Sequence, residues 1–196
     1  MNKSTFISLV ASQLLFIVLL PFIIDLLYYL HPLVYVVVWL CLTLLISFVV
    51  LLIRKETITI SKRLCVTAAI LYTGCLLVLL FLRPTNQLYD VYNIIPFQTI
   101  LYYLSGEVSP LVAFYNLAAN IGLFIPYGVL FLLLAPKRPH ILALLLIPFV
   151  SISFIEMLQR LTNRGSLDID DLLLNMLGIG IGYLITPLVQ RVIRLK

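Results

Sequence analysis

Apolar positions in this chain come in long unbroken blocks, and the polar positions are confined to short gaps between them. Blocks such as "LVYVVVWLCLTLLISFVVLLI" and "ILALLLIPFVSISFI" show neither the period-two alternation of a strand nor the one-sided stripe of a soluble helix. A membrane-crossing helix needs about 20 mostly apolar residues, and a membrane barrel strand would read as a short alternating segment. The pattern therefore predicts an all-α polytopic membrane protein with six transmembrane helices, near 5–29, 33–53, 64–82, 116–135, 140–161 and 170–190. The first block begins "MNKSTFISLVASQLLFIVLL"; it is longer than a signal-peptide core and meets no small-residue cleavage site, so it reads as a retained span. Between the third and fourth blocks lies the one long connection, residues 83–115. It carries Tyr89, Tyr92, Tyr102, Tyr103 and Tyr115, and "FQTILYYL" within it reads as a short interfacial helix.

Composition agrees with the pattern. The chain of 196 residues is 63% hydrophobic and 11% charged, with a mean hydropathy of +1.16, which excludes an ordinary soluble domain. The net charge of +5 does not point to nucleic acid, because the basic residues sit in short clusters between apolar blocks. With the N-terminus in the cytoplasm, the inner side holds Lys3, Arg54, Lys55, Lys62, Arg63, Lys137, Arg138, Arg191, Arg194 and Lys196. The outer side then holds only Arg83, Arg160 and Arg164. The positive-inside rule thus places both termini in the cytoplasm and the long loop outside. Seven of the eight acids fall on or near the outer side, leaving Glu56 inside. Cys41, Cys65 and Cys75 lie in apolar blocks without ligand spacing and read as packing residues.

Polar residues recur at helical spacing in the last three blocks, where a bilayer makes them costly. Asn116 and Asn120 stack four apart; Ser153, Glu156, Gln159 and Arg160 form a second stripe; Asp168, Asp171 and Asn175 form a third that continues to Gly178 and Gly182. All three stripes rise to the same outer leaflet. Glu156 is the deepest acid, and Arg160 and Arg164 are its expected partners. Two readings stay open: a clamp between the last two helices, with Asp168 also capping the last one, or an outward polar pocket for a hydrophilic headgroup or cation. Carboxylate and amide oxygens suit hard cations, but the spacing forms no metal signature, so neither a metal site nor a cofactor is expected. "GIGIG" at 178–182 follows no strand and is not a dinucleotide fingerprint; Gly178 and Gly182 instead permit close approach of a neighbouring helix. Pro126 and Gly128 in "FIPYG" read as a kink beneath Asn120.

The series "NIIPF" (93–97), "NLAANIGLFIPYG" (116–128), "EMLQ" (156–159) and "RGSLDIDDLLLNMLGIGIGY" (164–183) resembles the VanZ-like family of bacterial membrane proteins. The likeness covers about residues 83–186 and divides the chain into a three-helix segment 1–82, a VanZ-like domain 83–190 and a basic tail 191–196. The resemblance implies a multi-pass protein of the bacterial plasma membrane, mainly in Gram-positive organisms, and a link to resistance against teicoplanin-type glycopeptides. Carried across residue by residue, its pattern falls on Asn93, Pro96 and Phe97 in the loop, and on Asn116, Asn120, Phe124, Pro126 and Gly128 in the fourth helix. It then falls on Glu156, Gln159, Arg164, Asp168, Asp171, Asn175 and Gly178.

Two functions follow as expectations. In the first, the envelope protein meets a lipoglycopeptide or a lipid-linked cell-wall precursor through Asn116, Asn120, Glu156, Gln159, Arg164, Asp168, Asp171 and Asn175, with membrane lipids as its other partners. In the second, a membrane enzyme modifies a lipid or polyprenyl headgroup, with Glu156 or Asp171 as base. No nucleophile motif accompanies the acids, and no inverted repeat supports a transporter.

Overall fold

The computed structural model describes residues 3–27, 33–81, 93–137, 139–165 and 167–196. His31, Arg83, Tyr89, Asp90, Tyr92 and Arg138 lie outside the described residues. The elements in order are α1 (Lys3–Leu27), α2 (Leu33–Arg54), β1 (Ile58–Ile60), α3 (Lys62–Phe81), α4 (Gln98–Leu104), α5 (Pro110–Leu134), α6 (Ile141–Leu161), α7 (Ile169–Val192) and β2 (Ile193–Leu195). Each of the six apolar blocks is a helix. Among the described residues, four stretches are long and apolar enough to cross a membrane: Lys3–Asp25, Pro110–Leu134, Ile141–Leu161 and Ile169–Val192. A shorter apolar helix covers Val38–Arg54. "QTILYYL" forms α4, where the loop reading placed a short helix.

Two boundaries differ from the sequence reading. α5 begins six residues before the expected 116, because Ser109 caps it, its side chain accepting from Val112 N, and Pro110 takes the first helical position. There the missing N–H of proline removes nothing the helix needs. The residues read as a basic tail are partly ordered: β2 pairs with β1, Lys196 N donates to Ile60 O at 2.9 Å, and Lys62 N donates to Lys196 O at 2.8 Å.

The chain divides into two compact units, 1–59 with 190–194, and 60–189 with 195–196. In the first, α1 packs along α2. Trp39 Nε1 donates to Gln13 Oε1 at 2.7 Å, and Ser4, Arg54 and Glu56 form a polar knot in which Arg54 donates to Ser4 at 3.0 Å. In the second, Leu76, Leu80, Phe124, Ile152 and Ile179 from α3, α5, α6 and α7 make the buried core. α7 is the central helix: 33% of its most apolar window is buried, against 11% for α5 and 17% for α6. The many leucines and phenylalanines left exposed on these helices, such as Phe114, Leu142 and Leu184, are what a hydrocarbon solvent accepts.

Glycines set the spacing of α5 and α7. A Cβ at Gly182 would lie 2.8 Å from Gly128 Cα and closer still to Ile125 O; one at Gly178 would strike Ile121 O. Gly178 and Gly182 thus bring the two backbones into contact, as small residues do between membrane helices. Gly128 belongs to the same seam: a Cβ there would strike Ile179 O, and α5 continues through Pro126 to Leu134. Gly180, between the two contact glycines, meets nothing within 4 Å.

Candidate functional site

The polar residues of the second unit gather at the start of α7 in two groups. The first ties the α4 segment to α7. Asp168 caps α7, its Oδ1 accepting from Asp170 N at 2.9 Å, as a carboxylate at a helix start favours. The same side chain accepts from Asn93 Nδ2 at 2.9 Å and from Thr99 Oγ1 at 2.6 Å. The backbones of Asn93 and Asp168 form a parallel bridge, with Asn93 N donating to Leu167 O and Ile169 N donating to Asn93 O. Asp170 is 0% exposed and holds the start of α4: Oδ1 accepts from Phe97 N at 2.6 Å, and Oδ2 accepts from Thr99 N at 2.7 Å and Ile100 N at 3.2 Å. Phe97 adopts a left-handed backbone, φ 69°, which a bulky residue keeps only when its neighbours hold it there. Asp170 is that neighbour.

The second group surrounds a chamber of about 40 Å³ between α5, α6 and α7. Glu156 and Gln159 reach it from α6, Asn120 from α5, and Asp171 and Asn175 from α7; Leu80, Leu123, Phe124 and Ile155 complete an apolar wall. Glu156, Gln159 and Asn175 are all buried. Asn120 Nδ2 donates to Asp171 Oδ1 at 2.5 Å, and Gln159 Nε2 donates to Leu80 O at 3.3 Å. Gly165 closes over Gln159: a Cβ there would lie 3.2 Å from Gln159 Cβ. Among the described residues, the one buried side-chain oxygen or nitrogen without a hydrogen-bond partner is Asn175 Oδ1.

Beside the chamber, sharing Phe124 and Ile155 as wall, lies an apolar cavity of about 760 Å³. It runs between α3, α5, α6 and α7 toward Lys137 and Pro139. Two tyrosines of its wall are engaged: Tyr127 Oη donates to Thr73 Oγ1 at 3.0 Å and Tyr183 Oη to Leu144 O at 3.0 Å.

Of the eight residues that the sequence suggested for a pocket, Asn120, Glu156, Gln159, Asp171 and Asn175 line the chamber. Three do not. Asn116 donates to Val112 O on its own helix, Asp168 is engaged by Asn93 and Thr99, and Arg164 belongs to the turn after α6, where its N–H donates to Gln159 O at 2.8 Å. The loop residues Asn93 and Phe97 belong to the α4 anchor, and Pro96 lies between them, exposed. Sequence reasoning missed Asp170, Thr99 and Gly165. One signal was present: Asp170 and Asp171 stand about 100° apart around a helix, so they cannot serve one face.

The sequence profile of the VanZ/LLP1 family matches residues 69–190. The chain belongs to the VanZ/LLP1 family. The match starts inside α3 and takes in the α4 anchor, the chamber and the glycine seam, while α1 and α2 lie before it. No curated protein and no solved structure matches the chain. A VanZ-like membrane protein is thus established by the family and the apolar helices together.

Proposed function

We propose that this VanZ-like protein acts in the bacterial plasma membrane on an amphiphile, a lipoglycopeptide of the teicoplanin type or a lipid-linked cell-wall precursor, and thereby contributes to glycopeptide resistance. The observation that carries this reading is the shared wall. A small cluster of polar side chains and an apolar cavity of about 760 Å³ meet at Phe124 and Ile155, so an apolar tail has a place beside polar groups that can hydrogen-bond the edge of a headgroup. That volume lies in the range of about 300–1,000 Å³ that binds organic ligands. In the proposed orientation, with six spans and both termini in the cytoplasm, the chamber opens at the outer leaflet and the cavity runs inward toward Lys137, the direction in which an acyl or prenyl chain would extend.

A second reading, enzymatic modification of a lipid or polyprenyl headgroup, is favoured by Glu156 and Asp171 sharing one chamber, where carboxylates in different surroundings can divide acid and base roles. One experiment separates them. Wild type, Glu156→Gln and Asp171→Asn are expressed in a susceptible Gram-positive host and scored for teicoplanin inhibition, and the purified proteins are incubated with labelled lipid-linked precursor. The resistance reading expects protection by wild type, loss in both variants, and bound but unchanged precursor. Chemical conversion of the precursor would establish the enzyme instead. Equal protection by all three proteins would remove the chamber from the function. Orientation is tested by impermeant labelling of cysteines placed at Gly106 and Lys137, with only the former expected to react from outside.

A further inference from the structure

We propose that the apolar cavity is a binding site for one acyl chain of an anionic phospholipid, whose phosphate headgroup lies against Lys137. The position of the cavity gives the direction of the chain. Its α5 wall runs from Phe124 to Lys137 and its α6 wall from Ala143 to Ile155. It therefore begins at the membrane surface, where α5 ends and α6 starts, and stops near the middle of both helices. From Phe124 to Leu134 the helix rises about 15 Å at about 1.5 Å per residue, half the hydrocarbon thickness of about 30 Å. That is the depth of one leaflet, on the side of the membrane where Lys137 lies.

The lining decides what enters. Besides Lys137, its polar side chains are the hydroxyls of Thr73, Tyr127, Ser151 and Tyr183. Thr73 donates to Ala69 O at 2.8 Å and accepts from Tyr127, while Tyr183 donates to Leu144 O. The last bond is built into the wall: Pro148 has no N–H for the carbonyl four residues before it, and that carbonyl is Leu144 O. An apolar space of this size does not order water, and left empty it forfeits the dispersion contacts of its walls. An alkyl chain restores them. A methylene takes up about as much room as a water molecule, roughly 30 Å³, so a cavity of about 760 Å³ holds one chain of about 16–18 carbons and not two. Leu77 on α3 and Ile147 on α6 line the cavity and are exposed, so the lipid's second chain stays in the bilayer.

Charge selects the head. Among the described residues, Lys137 is the one charged side chain in the lining, and no acid accompanies it. A lysine at the mouth of an apolar slot meets phosphate as a point charge, and a headgroup of negative net charge gains more from it than a zwitterionic one that carries its own cation. This lipid goes beyond the function proposed above and does not rest on it. It belongs to the bilayer, and its head lies at the end of the cavity away from Phe124 and Ile155, where the chamber adjoins. Both ligands use the same tail space, so they compete for it.

The full-length chain, purified in detergent and stripped of lipid, is offered phosphatidylglycerol or phosphatidylcholine with identical acyl chains, and the lipid retained is read by native mass spectrometry. One phosphatidylglycerol per chain is expected, retained about fivefold better than phosphatidylcholine, which is the effect of one lysine beside the headgroups. Lys137→Gln should bring the two lipids level, while Lys62→Gln, outside the cavity, should leave the preference unchanged. Ala143→Phe fills the cavity near its Lys137 end and should abolish retention of both lipids. Ala69→Leu, a smaller addition from α3, should lower retention of both and keeps the test decisive where Ala143→Phe fails to fold. No lipid retained by folded wild type overturns the proposal, as does retention that survives both filling substitutions. Equal retention of the two lipids by wild type overturns it, and so does a preference that Lys62→Gln lowers as much as Lys137→Gln, since the attraction is then the diffuse charge of the surface. No antibiotic or cell-wall precursor takes part, so a negative result here leaves the function proposed above to its own test.

Discussion

Asp170 and Asp171 are adjacent in sequence and face different regions of the same unit. Asp170 is fully enclosed, and its two oxygens accept three backbone N–H groups at the start of α4. Asp171 lies on the chamber wall with Glu156 and an asparagine whose oxygen has no partner. The α4 anchor is complete by itself, as buried polar networks that specify structure are. The chamber leaves one buried oxygen, Asn175 Oδ1, without a hydrogen-bond partner among the described residues, and unsatisfied groups of that kind collect where proteins bind something. Charge at the head of a membrane helix therefore carries no single meaning: Asp170 fastens the start of α4, and Asp171 faces the chamber.

The comparison breaks most readily at Asp170. Asp170→Ala strands three N–H groups and removes the support for the left-handed Phe97, and hydrogen bonds to a charged group contribute about 1.5–3 kcal/mol each. Thermal unfolding in detergent should show a loss on the order of 3 kcal/mol or more, together with faster proteolysis of the 93–104 segment. A stability unchanged by Asp170→Ala would mean that the anchor contributes nothing.

A smaller effect is expected at the seam between α5 and α7, the helices that carry Asn120 and Asp171 of the chamber. Gly182→Ala puts a methyl group against the backbones of Ile125 and Gly128, and overpacking of this kind costs about 1–3 kcal/mol. Gly180→Ala, which meets nothing, should be neutral or slightly stabilising and serves as the control. Equal melting temperatures for the two variants would show that α5 and α7 are not held by backbone contact.

The smallest shift, and the one with opposite sign, belongs to Asn175. Asn175→Leu removes a buried amide oxygen that has no partner and should leave stability unchanged or raise it by up to about 1 kcal/mol, while lowering any protection against teicoplanin that the proposed function predicts. A loss of more than about 1 kcal/mol would place Asn175 with Asp170 as a structural residue and erase the contrast between the two regions.

Block hydrophobicity alone determined the helices, because the length and apolarity of a membrane helix are properties of consecutive residues. The short helix α4, the close approach at Gly178 and Gly182 and the family motifs were legible for the same reason, each being local in the chain or on one helical face. The helical stripes likewise marked Asn120, Glu156, Gln159, Asp171 and Asn175 as polar where polarity is costly. Their division of labour was not legible. Asp168 meets Asn93 from 75 positions away and Asp170 meets Phe97 from 73, and no periodicity reports which loop returns to which helix end. Ser109 and Pro110 carried the true start of α5, but the hydrophobic block began later and dominated the reading. Only the tertiary structure decided which partners each acid meets, because a hydrogen bond needs groups distant in sequence to come within about 3 Å, a distance set by packing.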